Sequence, residues 1–197
     1  MKRRPFIFIF LFILIILLPS HLVAQEPENK PVDGGYLPYG QERDSGFYLG
    51  GESGALIFLG NSSNVFSPAF ISSIKFGYSL KRRLNFQLRL LEGNGDLNFN
   101  GSGTFFFITE FDTKINFTKT AFSPFILGGI GFYVLDFGGF DPFVFQETNL
   151  TYVGGGGFDY RFGSNSVGLG VDYRGFVNEG FDFQGLEILV QYTFSFF

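Results

Sequence analysis

The side chains able to do chemistry in this chain recur two residues apart: Glu110, Asp112 and Lys114, then Asp159 and Arg161, then Asp172 and Arg174. On an extended strand such neighbours share one face. A pair like Glu110 and Asp112 could there do acid–base work or hold a calcium ion. The bases at the same spacing point elsewhere, to carboxylates paired with Lys114, Arg161 or Arg174 in a confined interior, and we favour that reading. Composition narrows the chemistry further. Cysteine is absent and the single His is His21, within an amino-terminal export segment, so the mature chain has no Cys nucleophile, no Ser–His or Cys–His pair, and no thiolate or imidazole metal site. Neither a metal nor a cofactor is expected. The Gly-rich strings 154–157 and Gly128-Gly129-Ile130-Gly131 lack the helix pattern and following Lys of a phosphate cradle. Close strand approach in a small barrel explains them better.

Eight stretches must position these side chains, and each alternates apolar and polar residues with a period of two. Strands are predicted over 46–58, 69–80, 84–91, 104–117, 124–135, 149–162, 167–175 and 183–196. The connections alternate in length. Long ones cover 60–68, 92–103, 136–148 and 176–182, and short turns cover 81–83, 118–123 and 163–166. An up-and-down barrel shows this pattern when short turns face the periplasm and long loops face outside. An all-β, eight-stranded antiparallel transmembrane barrel over 46–197 follows.

Alternation alone does not say which phase faces in. The apolar phase is bulky: Phe70, Ile74, Phe76 and Tyr78 in the second strand, Phe105, Phe107, Phe111 and Ile115 in the fourth, Leu186, Ile188 and Val190 in the last. An eight-stranded barrel is only wide enough inside for side chains to fill it, so this set would overpack the lumen. The other phase is rich in Gly, Ser and ionisable residues. It sends Glu52, Lys75, Arg89, Glu110, Asp112, Lys114, Asp159, Arg161, Asp172, Arg174 and Glu187 inward, six acids and five bases. Near-balance implies pairing, because confined charges are costly otherwise. The fifth strand carries no charge to fix its phase; Ile126, Gly128, Ile130, Phe132 and Val134 are expected to face lipid, with Gly129 and Gly131 inside.

Residues 1–24 read as a secretory signal, with basic Lys2, Arg3 and Arg4, an apolar run from Phe6 to Leu18, and cleavage expected after Ala24. The apolar run falls short of the roughly 20 residues of a spanning helix. Residues 25–45, rich in Pro, Gly, Glu and Asn, read as a flexible periplasmic leader. Removing the signal leaves 11 bases against 18 acids, a formal charge of −7. Nucleic acid is therefore not an expected partner.

Four strings carry a resemblance: Gly46-Phe47-Tyr48-Leu49-Gly50-Gly51, Pro124-Phe125-Ile126-Leu127-Gly128-Gly129-Ile130-Gly131, Gly155-Gly156-Gly157-Phe158-Asp159-Tyr160-Arg161-Phe162 and Gly170-Val171-Asp172-Tyr173-Arg174. In order and spacing they resemble the small outer-membrane barrels of the outer membrane protein A and X kind, the porin-like outer-membrane β-barrel domain. The carboxyl end is similar too: Tyr192, Phe194 and Phe196 alternate as in the family's last strand, with Phe197 one residue out of phase. The resemblance implies outer-membrane location, lipid as surroundings, and recognition of that last strand by the barrel assembly machinery. Enzymes on such barrels use a catalytic His, which the mature chain lacks.

The sequence therefore predicts a non-enzymatic outer-membrane barrel with a charged, plugged lumen and function in its outer loops. The loop from Phe137 to Phe145 places Phe137, Phe140, Phe143 and Phe145 where polar residues are usual. These form either a contact surface for a ligand or an interfacial aromatic girdle. Two rival readings are a narrow channel for ions or small solutes, suggested by the Gly-rich sixth and seventh strands, and a soluble periplasmic ligand-binding barrel with the apolar phase turned inward.

Overall fold

The computed structural model describes residues 45–81, 83–98, 103–136, 149–177 and 183–196. The signal and leader segments lie outside these, apart from Ser45, as do Phe197 and the loop carrying Phe137, Phe140, Phe143 and Phe145. Eight antiparallel strands form a closed barrel: β1 (Gly46–Phe58), β2 (Ala69–Leu80), β3 (Leu84–Asp96), β4 (Gly103–Asn116), β5 (Phe122–Asp136), β6 (Asn149–Phe162), β7 (Asn165–Val177) and β8 (Phe183–Phe196). Each pairs with its sequence neighbour, and β1 closes on β8 from Phe47 opposite Phe196 to Phe58 opposite Gly185. Closure leaves no unpaired strand edge, so every central backbone polar group is satisfied without water.

Strand lengths of 12 to 15 residues exceed the roughly 9–11 that a tilted strand needs to cross a bilayer. The sequence reading ended the third strand too early. Residues 92–96 continue β3, paired through Glu92 with Phe107 and Asp96 with Gly103, because strand β4 opposite them continues that far. Strands β5 and β7 are each longer at both ends than the pattern suggested.

The bulky phase is outside. Phe70, Phe76, Phe111, Ile130, Phe132, Val190 and Phe196 are all more than half exposed in the isolated chain. A band of this kind, continuous around the barrel, is the surface of a protein whose surroundings are lipid. The soluble reading required the opposite phase and is corrected by it. Strand β5 takes the expected phase, with Ile126, Gly128, Ile130 and Phe132 outward, Val134 half-buried, and Phe125, Leu127 and Tyr133 inward.

The short connections are built for their geometry. Gly163 opens the two-residue β6–β7 turn at φ 61°, a left-handed conformation that costs glycine no Cβ clash. Lys81 adopts φ 51° in the β2–β3 turn. The first long connection is not a free loop. A short 3-10 turn, Gly60–Asn64, leads to Phe66, which bridges to Leu97. Asn98 fastens it, donating to the Ser63 carbonyl at 2.8 Å and accepting from the Ser67 hydroxyl at 2.6 Å. Phe66 is thereby buried at the outer mouth.

Candidate functional site

Inward positions of the eight strands fill the lumen in three layers. The middle layer is ionic. Arg89, from β3, is fully buried and meets four carboxylates from three strands: Glu52 at 3.0 Å, Asp112 at 3.3 Å, Asp172 at 3.6 Å, and Glu110 in close contact. Arg174, from β7, faces it. Its guanidinium holds Glu110 in a fork, Nη1 at 2.5 Å and Nη2 at 3.1 Å, and reaches Glu187 through Nε and through Nη2 at 3.3 Å. Planar donors in fork geometry suit two carboxylates at once, which a lysine could not do.

Lys75 joins the layer from β2, 2.9 Å from Glu52 and bonded to the Gln191 side chain. Ser73 donates to Glu52 at 2.9 Å and Gln87 to Asp112 at 3.0 Å. The ring thus runs Lys75, Glu52, Arg89, Glu110, Arg174, Glu187, and ties β1, β2, β3, β4, β7 and β8 together across the lumen.

Ten of the eleven charged residues assigned inward are buried, and Arg161 is half-buried. Their pairing differs in part from the sequence expectation. Glu110 meets Arg174 as expected, but Asp112 meets Arg89, and Lys114 pairs with Asp159 at 2.8 Å while lying 3.8 Å over the Phe125 ring. Strand-neighbour spacing alone gives no cross-lumen distance, so those partners were not legible.

The inward glycines have a specific use. A Cβ built on Gly129 would run into Asp112 Oδ1, and one on Gly155 into Asp172 Oδ1. Both carboxylates therefore lean against bare backbone of β5 and β6, the sector that contributes no charge at this level. Neither Oδ1 has a hydrogen-bond partner in the protein. Among the described residues no cluster of His, Cys, Asp and Glu has the arrangement to hold a metal ion.

Towards the short turns lies a polar vestibule, lined by Tyr48, Asn85, Lys114, Arg161, Ser166 and Thr193 among others, of which about 90 Å³ is reachable by water. Such a volume holds several molecules at roughly 10–15 Å³ each. Its wall is shared with the ion layer through Lys75 and through Gln87, to which Tyr48 donates at 3.0 Å.

Towards the outer loops the lumen turns apolar. Leu56, Ile71, Leu91, Ile108 and Leu189 are buried at the same inward phase, capped by Phe58, Phe66, Phe106, Tyr133 and Phe176. Sequence reasoning missed this layer. Its signal was present as breaks in alternation, where two phases are apolar together: Phe105-Phe106-Phe107-Ile108, Phe132-Tyr133-Val134-Leu135 and Ile188-Leu189-Val190. A strand that is apolar on both faces is covered on both faces.

Fold, lipid-facing exterior and filled interior together define the chain as a small eight-stranded outer-membrane-type barrel. No family model matches it, and no curated protein does. Among solved structures it is similar to Neisserial surface protein A, with a TM-score of 0.62 at 15% identity over 77% of this chain and 99% of that one. The outer membrane enzyme PagL follows, at 0.50 and 16% identity over 73% and 97%. The likeness is one of fold, and it spans a surface protein and an enzyme, so the role must be argued from the interior and the surface.

Proposed function

We propose that the protein is a non-enzymatic, non-conducting barrel of the outer membrane, exported by a cleaved signal, that presents its outer loops to a surface ligand. The observation that carries this reading is the double closure of the lumen. Arg89 and Arg174 cross-link it in the middle, and the apolar layer seals it above. Either layer alone leaves no continuous water path, and desolvated apolar constrictions oppose ion passage. In the Gly-rich sixth and seventh strands that suggested a channel, Gly155 is the bed of Asp172 and Gly168 that of Asp159.

The absence of Cys, and of any His beyond His21, supports a non-catalytic role, since no imidazole or thiolate nucleophile system is available. Contact through Phe137, Phe140, Phe143 and Phe145 is part of the proposal, as is reading of Tyr192, Phe194, Phe196 and Phe197 by the assembly machinery.

The deciding experiment is planar-bilayer recording of the mature chain, residues 25–197, with insertion verified by protease protection. A quiet bilayer is the expected result. Reproducible conductance steps would overturn the plugged reading. Replacing 137–145 with Gly and Ser should abolish surface binding and leave the barrel folded; unchanged binding would remove the loop from the proposal.

A further inference from the structure

Charge outside the lumen is sorted by end. The short turns 81–83 and 118–123 carry Lys81, Arg82, Arg83 and Lys119 and no acid, whereas 92–103, 136–148 and 176–182, at the opposite end, carry seven acids and no base. The basic end is therefore not a reflection of overall charge, which is negative. Lys81, Arg83 and Lys119 are exposed. Among the described residues no acid is exposed beside them, since Asp159 is buried in the lumen 2.8 Å from Lys114.

The two basic turns are adjacent. The Asn116 amide, three residues before Lys119, donates to the Arg83 carbonyl at 2.7 Å and so sets the β2–β3 turn against the β4–β5 turn. Next to them the barrel wall is aromatic: Tyr78, Phe86, Phe117 and Phe122 face outward, 37 to 55% exposed. Outward rings of this kind collect where the apolar interior of a bilayer meets its headgroups. The three bases stand two or three residues beyond those rings, and their long stems carry the charge to the level of the lipid phosphates.

We propose that Lys81, Arg83 and Lys119 form a docking surface for anionic phospholipid headgroups. The sign of the partner follows from a cluster of exposed bases with no exposed acid among them. That the partner is lipid follows from their place just past the aromatic wall, where headgroups are present whenever the barrel is inserted. A base close to an anionic bilayer surface strengthens association by about 5-fold. The acids of the opposite end repel the same lipid, so the two ends favour leaflets of different headgroup charge. The surface requires only that the barrel spans a bilayer and is independent of whether the lumen conducts.

The test is lipid selectivity measured by spin-label EPR. The refolded mature chain is placed in phosphatidylcholine vesicles doped with spin-labelled phosphatidylglycerol or spin-labelled phosphatidylcholine, and the motionally restricted fractions give the relative affinity of the two lipids for the barrel. Wild type should prefer phosphatidylglycerol by about 2- to 5-fold at low salt, the upper figure being what one base near an anionic surface supplies. High salt should bring the preference towards unity, because screening shortens the reach of exposed charge. The triple variant Lys81→Glu, Arg83→Glu, Lys119→Glu should lose or reverse it, and Asp96→Asn, at the acidic end, should not lower it. Equal affinity of wild type for the two lipids would overturn the proposal and leave the bases to a soluble anion. A preference that survives the triple variant would overturn it too. If that variant fails to refold, wild type decides: a preference lost at high salt supports the surface, and one retained there overturns it.

Discussion

The two halves of the lumen close the same barrel by opposite means. In the outer half, Leu56, Ile71, Leu91, Ile108 and Leu189 exclude water by packing. In the middle, Arg89 and Arg174 bind five carboxylates between them, with distances from 2.5 to 3.6 Å where the contacts are not closer still. The apolar half needs no partner-specific geometry; removing one methyl group weakens it gradually. The ionic half is all or nothing, since each charge is tolerated only while its partners remain. The apolar layer also raises the stakes below it, because charges shielded from water interact more strongly and are more costly to leave unpaired. A narrow barrel can thus be filled with charge provided that one end is sealed and the glycines of β5 and β6 make room for the carboxylates.

The largest effect that would break this contrast is at Arg174. Arg174→Ala leaves Glu110 and Glu187 facing each other with one base fewer, and should cost about 3–5 kcal/mol, read by urea titration of the refolded barrel in lipid. Unchanged stability would mean that water reaches the layer and that the halves differ less than their structures imply. Leu91→Ala, in the apolar layer and fully buried, should cost about 2–4 kcal/mol. Neither single substitution should conduct ions, because the other layer still closes the lumen. The double variant should show conductance steps. Steps from Arg174→Ala alone would assign the whole barrier to the ionic layer.

The legible and illegible parts of this molecule divide along physical lines. Period-two alternation in strands such as Tyr152 to Phe162 reported local side-chain direction, and direction is what strand geometry fixes. The closed barrel, the outward aromatic belt and the inward placement of residues such as Glu52 and Arg174 were all readable for that reason. Cross-lumen partners were not: that Asp112 meets Arg89 while Lys114 meets Asp159 depends on barrel diameter and strand stagger, which no local pattern encodes. The inward turn of Phe66 was hidden differently, since its anchor is Asn98 in the β3–β4 connection, 32 residues away. The apolar layer is visible as broken alternation at Phe105 to Ile108, where period two by itself assigns only Phe105 and Phe107, to the outward belt.

The smallest effect sharpens the comparison to one methyl group placed inside or outside. Gly129 and Gly154 belong to adjacent strands, but Gly129 faces the lumen and Gly154 the lipid. A Cβ at Gly129 would meet Asp112 Oδ1 and, at 2.8 Å, the Phe111 carbonyl oxygen; at Gly154 it would meet nothing within 4 Å. Gly129→Ala must therefore displace a carboxylate already held by Arg89 and Gln87, and should cost about 1–3 kcal/mol, as overpacking of a filled interior does. Gly154→Ala meets open space at a backbone angle that alanine adopts freely. It should be neutral or stabilising by about 0.4–1 kcal/mol, through the lower entropy of the unfolded chain. Both are measurable in the same urea titration. Equal effects at the two sites would show that the inward glycines serve only the backbone, and would remove them from the account of how Asp112 and Asp172 fit inside.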